Sequence, residues 1–216
     1  MKKLGISLCA ILLFGLPLQA QYGSLELNSG GFSFIPLFTS NKPHIILRAG
    51  TDDKKRWSLN LINLIMMDGM SPANYSLITR YRLIDKKIKL NIGFQMPGYR
   101  IFENEDLRSR SVQEVRLYYP INKKTNLLFF YMHGEGKNFE MNNNFYSLYY
   151  RKTIGNWRTS TQGYLLFSSL SATNPSSGLA QTVSYLLDKK IKLNLFVNKS
   201  FTSDTFNKTV GLEFSF

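Results

Sequence analysis

The chain has 216 residues with 27 Lys+Arg against 14 Asp+Glu, a net charge of +13, and a single cysteine. One cysteine excludes an internal disulfide and multi-thiolate zinc sites, the basic balance favours anionic partners, and the length suits one domain. The sequence contains no phosphate loop, dinucleotide fingerprint or zinc-type cysteine pair, so no cofactor is expected.

The first twenty residues, MKKLGISLCAILLFGLPLQA, place two lysines before an apolar run that closes on small Ala20. This layout is expected to be a secretory signal peptide cut after Ala20, which leaves 21–216 as one exported domain. Cys9 follows Leu8 inside the apolar run, which does not fit a lipid-attachment signal. No later run approaches the ~18 apolar residues that a spanning helix needs. An exported chain rarely meets nucleic acid, so the positive charge points to other anions.

Downstream, alternation of apolar and polar residues between turn formers predicts twelve strands, near 22–34, 43–51, 57–67, 74–84, 88–97, 111–121, 125–134, 144–153, 157–168, 179–187, 191–200 and 207–216. The phrase LIDKKIKLNI at 83–92 returns almost unchanged as LLDKKIKLNL at 186–195. Looser copies of its lysine pair occur at Asp53-Lys54-Lys55 and Asn122-Lys123-Lys124, with a divergent turn at Gly155-Asn156; successive turns are 32 to 37 residues apart. Helical solenoids share that period, so the element inside the repeat decides. Ile88, Leu90, Ile92, Phe94 and Met96 alternate with Lys89, Asn91, Gly93 and Gln95, a period of two that only a strand satisfies.

Each repeat therefore reads as strand, tight turn, strand and longer connector. The connectors SNKP, DGMSPAN, PGYRIFENEDLRSR, GEGKNFEMNNN and LSATNPSSG are rich in turn formers, and the longest expected outer loop runs from Pro97 to Arg110. An even strand number, with tight turns at one end and longer loops at the other, is the pattern of a membrane barrel. A soluble secreted β-sandwich is the competing reading.

The last strand, NKTVGLEFSF, alternates Val210, Leu212, Phe214 and Phe216 with Gly211, Glu213 and Ser215. It resembles the terminal strand of bacterial outer-membrane β-barrel proteins. The resemblance implies an all-β, antiparallel transmembrane barrel of about twelve strands in a Gram-negative outer membrane, surrounded by lipid. The Phe216 strand is then the mark read by the barrel-assembly machinery, and the tight turns and both termini are periplasmic. Trp57, Tyr75, Tyr119, Tyr150 and Trp157, near strand ends, suit interfacial aromatic girdles.

If the more apolar register faces lipid, the other lines the lumen. Arg48, Arg80, Arg82, Lys89, Arg116, Arg158 and Lys192 then point inward, with Arg151, against Glu114, Glu213 and Glu26. Fixed guanidinium forks in a hydrated lumen attract carboxylate and phosphate. Strand count, size and wall charge resemble those of the small oligosaccharide porins of the oligogalacturonate and sialic-acid channel families. The resemblance implies a narrow, anion-favouring channel or binding barrel for small acidic solutes or oligosaccharides. In the alternative packing, these cations pair with the acids and fill a closed core. A non-enzymatic accessory barrel of a secretion or uptake complex is the second functional reading.

A third rests on histidine. His44 and His133 both fall near the outer rim, and Tyr131-Met132-His133-Gly134-Glu135-Gly136 resembles the Tyr-x-His-x-Ser-Asn-Gly motif of outer-membrane phospholipases. The resemblance implies a rim lipid hydrolase with His133 as base. Glu135, however, stands where the nucleophilic serine belongs and cannot perform serine-type acyl transfer; Ser147 lies on the next strand. Register is open here, because alignment with IKLNIGF faces His133 outward, whereas grouping Leu128, Phe130 and Met132 toward lipid faces it inward. His44, His133 and Glu135 are suitable metal-ligand types, but no spacing specifies a site.

Overall fold

The protein is described here as a computed structural model covering residues 22–31, 33–51, 55–100, 107–169 and 174–216; the expected signal peptide and Asp53-Lys54 lie outside the described residues. The strands are β1 (Tyr22–Asn28), β2 (His44–Gly50), β3 (Trp57–Met66), β4 (Ser71–Asp85), β5 (Lys89–Arg100), β6 (Leu107–Asn122), β7 (Thr125–Gly136), β8 (Asn142–Ile154), β9 (Trp157–Ser168), β10 (Ser176–Asp188), β11 (Ile191–Ser200) and β12 (Phe206–Ser215). Each pairs antiparallel with its sequence neighbours, and β1 pairs with β12, so the sheet closes on itself. Closure removes the sheet edges that hydrocarbon could not solvate.

The repeated turn phrase bends the chain in the same way twice. Register shifts between Arg82 and Ile84 ahead of Lys86, and between Leu186 and Asp188 ahead of Lys189. A similar shift between Pro120 and Asn122 precedes Lys123. Such a bulge adds twist where the chain must reverse. At the divergent copy, Gly155 takes a left-handed φ of 55°, open to glycine without strain.

The outer surface is a band of exposed apolar side chains that includes Leu59, Ile92, Phe94, Leu117, Phe129, Leu148, Leu195 and Val210. At the tight-turn end, exposed Trp57 lies 4.7 Å from Tyr81 and exposed Trp157 lies 4.5 Å from Tyr185, ring centre to ring centre. A soluble sandwich would turn such a band inward, whereas a lipid-embedded barrel turns it out. The seam is tied by Phe216, whose N–H donates to Gly23 C=O at 3.0 Å and whose C=O accepts from Gly23 N–H at 3.1 Å. Gly23 has no Cβ because the Phe216 ring lies over it.

The main departure from the sequence reading is at the first strand. Expected over 22–34, it ends at Asn28, and residues 29–43 form a loop, L1, with a short 3-10 turn at Pro36–Phe38. Pro36 lacks the N–H a ladder needs, so the apolar run FSFIPLF cannot continue the sheet. Conversely, β5 and β6 run further than expected into the Pro97–Arg110 segment, leaving only 101–106, which lie outside the described residues. Among the described residues, L1 is therefore the longest connector.

L1 turns into the barrel. Ile35, 1% exposed, packs with Val112, Phe130, Met132, Phe145, Tyr164 and Leu166 of β6–β9. In a ring of twelve, β7 stands opposite β1, and the Pro36–Phe38 turn also touches β11. The loop thus crosses the lumen near its loop end. At its root, Gly31 N–H donates to Ser40 C=O at 2.8 Å and Ser29 N–H to Val210 C=O at 2.8 Å.

Candidate functional site: the barrel lumen

Strand alternation sends one residue in two into the lumen, and the inward set is charged toward the tight-turn end. On β1 and β12, Glu26 and Glu213 stand directly opposite each other across the closing seam. Two facing carboxylates repel, and two cations offset this. Arg48 of β2 lies 2.7 Å from Glu26 and 3.7 Å from Glu213, while Lys192 of β11 lies 2.8 Å from Glu213. Asn194 donates to Glu213 as well, at 3.1 Å. Gly211 provides the space, since a Cβ there would strike the Glu26 carboxylate.

A second ionic group joins β4, β5 and β6. Glu114 is 2% exposed and accepts from Arg80 Nε and Gln95 Nε2; Arg116 Nε is 3.6 Å from the same carboxylate. Gly93 leaves room for them, because a Cβ there would sit 2.7 Å from Glu114 Cγ. Nearer the tight turns, Arg82 and Lys89 meet Asp85 at 3.2 and 3.7 Å. Of the inward cations read from the sequence, Arg48, Arg80, Arg82, Lys89 and Lys192 are thus engaged by carboxylates, and Arg116 more distantly, at 3.6 Å.

The opposite wall differs. Arg151 of β8 lies over the Tyr149 ring at 4.9 Å and Arg116 over the Phe130 ring at 5.4 Å, cation–π contacts that hold the guanidinium planes. Arg158 is exposed at the tight-turn mouth. Among the described residues no carboxylate pairs with Arg151 or Arg158. Both line a mouth cavity of about 300 Å³. Arg151, Ser160, Thr182 and Ser184 are shared with a deeper cavity of about 510 Å³, which also takes in Arg116, Tyr149, Gln162 and Phe34 of L1. The two cavities adjoin at these shared residues, and the deeper one reaches L1 on one side and Glu26, Arg48, Lys192 and Glu213 of the seam on another.

Above these cavities the inner wall is apolar, in the one of the two β7 registers left open by the sequence that faces His133 outward. Leu128, Phe130 and Met132 of β7 face inward, with Val112, Phe145 and Leu166 on neighbouring strands. Across the barrel, Ile46, Leu64 and Met66 form a second inward patch. The assumption that the apolar register always faces lipid fails here, because β7 is apolar on both faces and has no period of two.

The register of β7 places His133 on the outer surface. Its Nδ1 lies 3.0 Å from Asn144 Oδ1 and its Nε2 3.1 Å from Glu135 Oε1; Tyr131 O–H donates to Asn144 Oδ1 at 3.0 Å. Both ring nitrogens are thus engaged on the outer face, and Glu135, which one of them meets, is no acyl-transfer nucleophile of the serine type. Ser147 is buried on the lumen side, where its Oγ accepts from Gln162 at 3.3 Å, so it and His133 lie on opposite faces of the wall. His44 is buried on β2, its Nδ1–H donating to Lys42 C=O at 2.6 Å. The three candidate metal ligands, His44, His133 and Glu135, therefore do not converge.

No family model and no curated protein sequence matches the chain. Solved structures do match in fold. A KdgM porin superposes with a TM-score of 0.64 at 11% identity, covering 90% of this chain and 99% of its own. A NanC porin gives 0.63 at 11%, covering 90% and 98%. A KdgM porin in complex with disordered oligogalacturonate gives 0.61 at 12%, covering 90% and 98%. The chain has the closed twelve-strand antiparallel fold of the small outer-membrane porins.

Proposed function

We propose that the protein is an outer-membrane barrel whose lumen favours small acidic solutes or oligosaccharides, as a narrow passage or a binding site. The observation that carries the reading is the stretch of wall bearing Arg151 and Arg158, with which no carboxylate of the described residues pairs, below Arg116, which shares Glu114 with Arg80; Glu26 and Glu213 line the far side of the same cavity, against Arg48 and Lys192. Guanidinium groups facing a cavity present donors in the fork geometry that oxyanions accept. The oligogalacturonate held by one porin of like fold is a ligand of this chemistry.

The seven cations read from the sequence then divide by role. Arg116 and Arg158, joined by Arg151, carry the selectivity. Arg48, Arg80, Arg82, Lys89 and Lys192 chiefly balance carboxylates. Because L1 crosses the lumen, a binding barrel that conducts only when L1 moves is favoured over a permanently open pore.

The test is the reversal potential of single channels under a salt gradient. The wild type is expected to prefer anions, and Arg116→Gln, Arg151→Gln and Arg158→Gln together to abolish the preference. A triple variant with unchanged selectivity would sink the reading.

A further inference from the structure

We infer that the outer half of the lumen is a binding site for the apolar body of a small amphipathic anion, a place that L1 now fills with its own side chains. The inference rests on the anion reading in one respect, that the charged end of the ligand uses the same arginines.

Here Phe130, Phe145 and Leu166 are at most 1% exposed and all face inward. They pack against one another across β7–β9 and, toward the lumen, against the tip of L1 through Ile35, Phe34 and Leu37. Three of the tip's N–H groups bond within the loop: Ile35 N–H to Ser33 Oγ at 3.2 Å, Phe38 N–H to Ile35 C=O at 3.0 Å and Thr39 N–H to Pro36 C=O at 3.2 Å. Bonds to the barrel lie at the roots, from Ser29 to Val210 and from Asn41 to Asn207. Displacing the tip therefore breaks an apolar contact and leaves the loop's internal bonds intact.

Charge begins where the apolar wall ends. Arg116 pairs across the β6–β7 ladder with Phe130 and lies on its ring, so one residue of the apolar wall also holds the first guanidinium. Arg151 follows on the next strand and opens on the 510 Å³ cavity. A ligand with an alkyl or aryl body and a carboxylate end matches this sequence of surfaces. A saccharide acid, polar along its whole length, matches only the lower part.

The experiment is calorimetric titration of butyrate, hexanoate and octanoate into the protein in lipid nanodiscs, with empty discs subtracted and digalacturonate as the acid without an apolar body. Octanoate is expected to bind at least tenfold more tightly than digalacturonate, each added methylene tightening binding about threefold to fourfold. Phe145→Asn and the pair Arg116→Gln with Arg151→Gln should each weaken octanoate at least tenfold. Ile35→Asn, which weakens the internal competitor, should strengthen it several-fold; Leu37→Asn serves if that variant does not assemble by heat-modifiable mobility. Digalacturonate binding as tightly as octanoate, no binding of either, or no gain on loosening L1 would each overturn the inference. The first of these outcomes leaves the anion reading standing, and only the reversal potential can remove that reading.

Discussion

The two sides of this lumen follow the same strand alternation and use their cations differently. Along the seam of β1, β2, β11 and β12, Arg48 and Lys192 lie against Glu26 and Glu213, and the group is close to neutral. Along β8 and β9, Arg151 and Arg158 meet aromatic faces, hydroxyls and amides instead. Charge counted on a strand is therefore not charge offered to a solute. At the seam it is matched by carboxylates, and on the opposite wall it meets none among the described residues.

The sharpest way to break this comparison is at Glu114, which belongs to the neutralising kind but sits beside Arg116. Glu114→Gln leaves Arg80 and Arg116 facing each other without their shared carboxylate, and removing one partner from a buried ionic group costs about 3–5 kcal/mol. Guanidinium unfolding of the liposome-refolded protein should register that loss. The same variant adds one net positive charge to the lumen, so its anion preference should rise while its stability falls. A variant as stable as wild type would show that the pairing has no structural role.

Next in size is Arg48→Met. Glu26 and Glu213 would then face each other across the closing seam with Lys192 alone between them, and a buried charged acceptor left short of its donor costs about 1–3 kcal/mol. The loss should appear as a lower guanidinium midpoint and as faster exchange of the β1 amides, since β1 holds β12 through few residues. Uniform exchange around the ring would mean that the seam is no weaker than the rest. Neutralising Arg151 and Arg158 should do the opposite of both variants above, leaving stability nearly unchanged and lowering anion preference.

Why one half of this picture was legible in the sequence and the other was not follows from how strands encode their faces. Ile88 to Met96 and Ile191 to Val197 alternate cleanly, and the strands other than β1 stand close to where that alternation puts them. Closure, too, was readable from an even strand count and the terminal Phe216. Residues 125–132, TNLLFFYM, carry apolar side chains on both faces, so no period distinguishes lumen from lipid, and only pairing with the better-marked β6 fixes the register. L1 was obscured because FSFIPLF is as apolar as a strand; the signal that separates it is Pro36, which a strand between two partners cannot accommodate. Pairing of Arg48 with Glu26 joins residues of different strands, and a single strand's pattern carries no information about which partner lies opposite.

The smallest effect contrasts these buried groups with an exposed one. In the loop 201–205, outside the strands, Lys199 donates to the Asp204 carboxylate, which holds that carboxyl below the ordinary aspartate value. Its folded value being the lower one, the pair adds stability above the unfolded value and loses it as pH falls through the folded midpoint. Asp204 is fully exposed, so water and salt screen the interaction. A carbon-13 titration of the Asp204 carboxyl should therefore show a depressed midpoint that returns toward the ordinary value in Lys199→Met, with no measurable change in the unfolding midpoint of the barrel. The same titration in 1 M salt should give most of that return without any mutation. Were the depression to survive both, the geometry of the loop, where Asp204 holds a left-handed φ of 51°, rather than the ammonium would have to account for it.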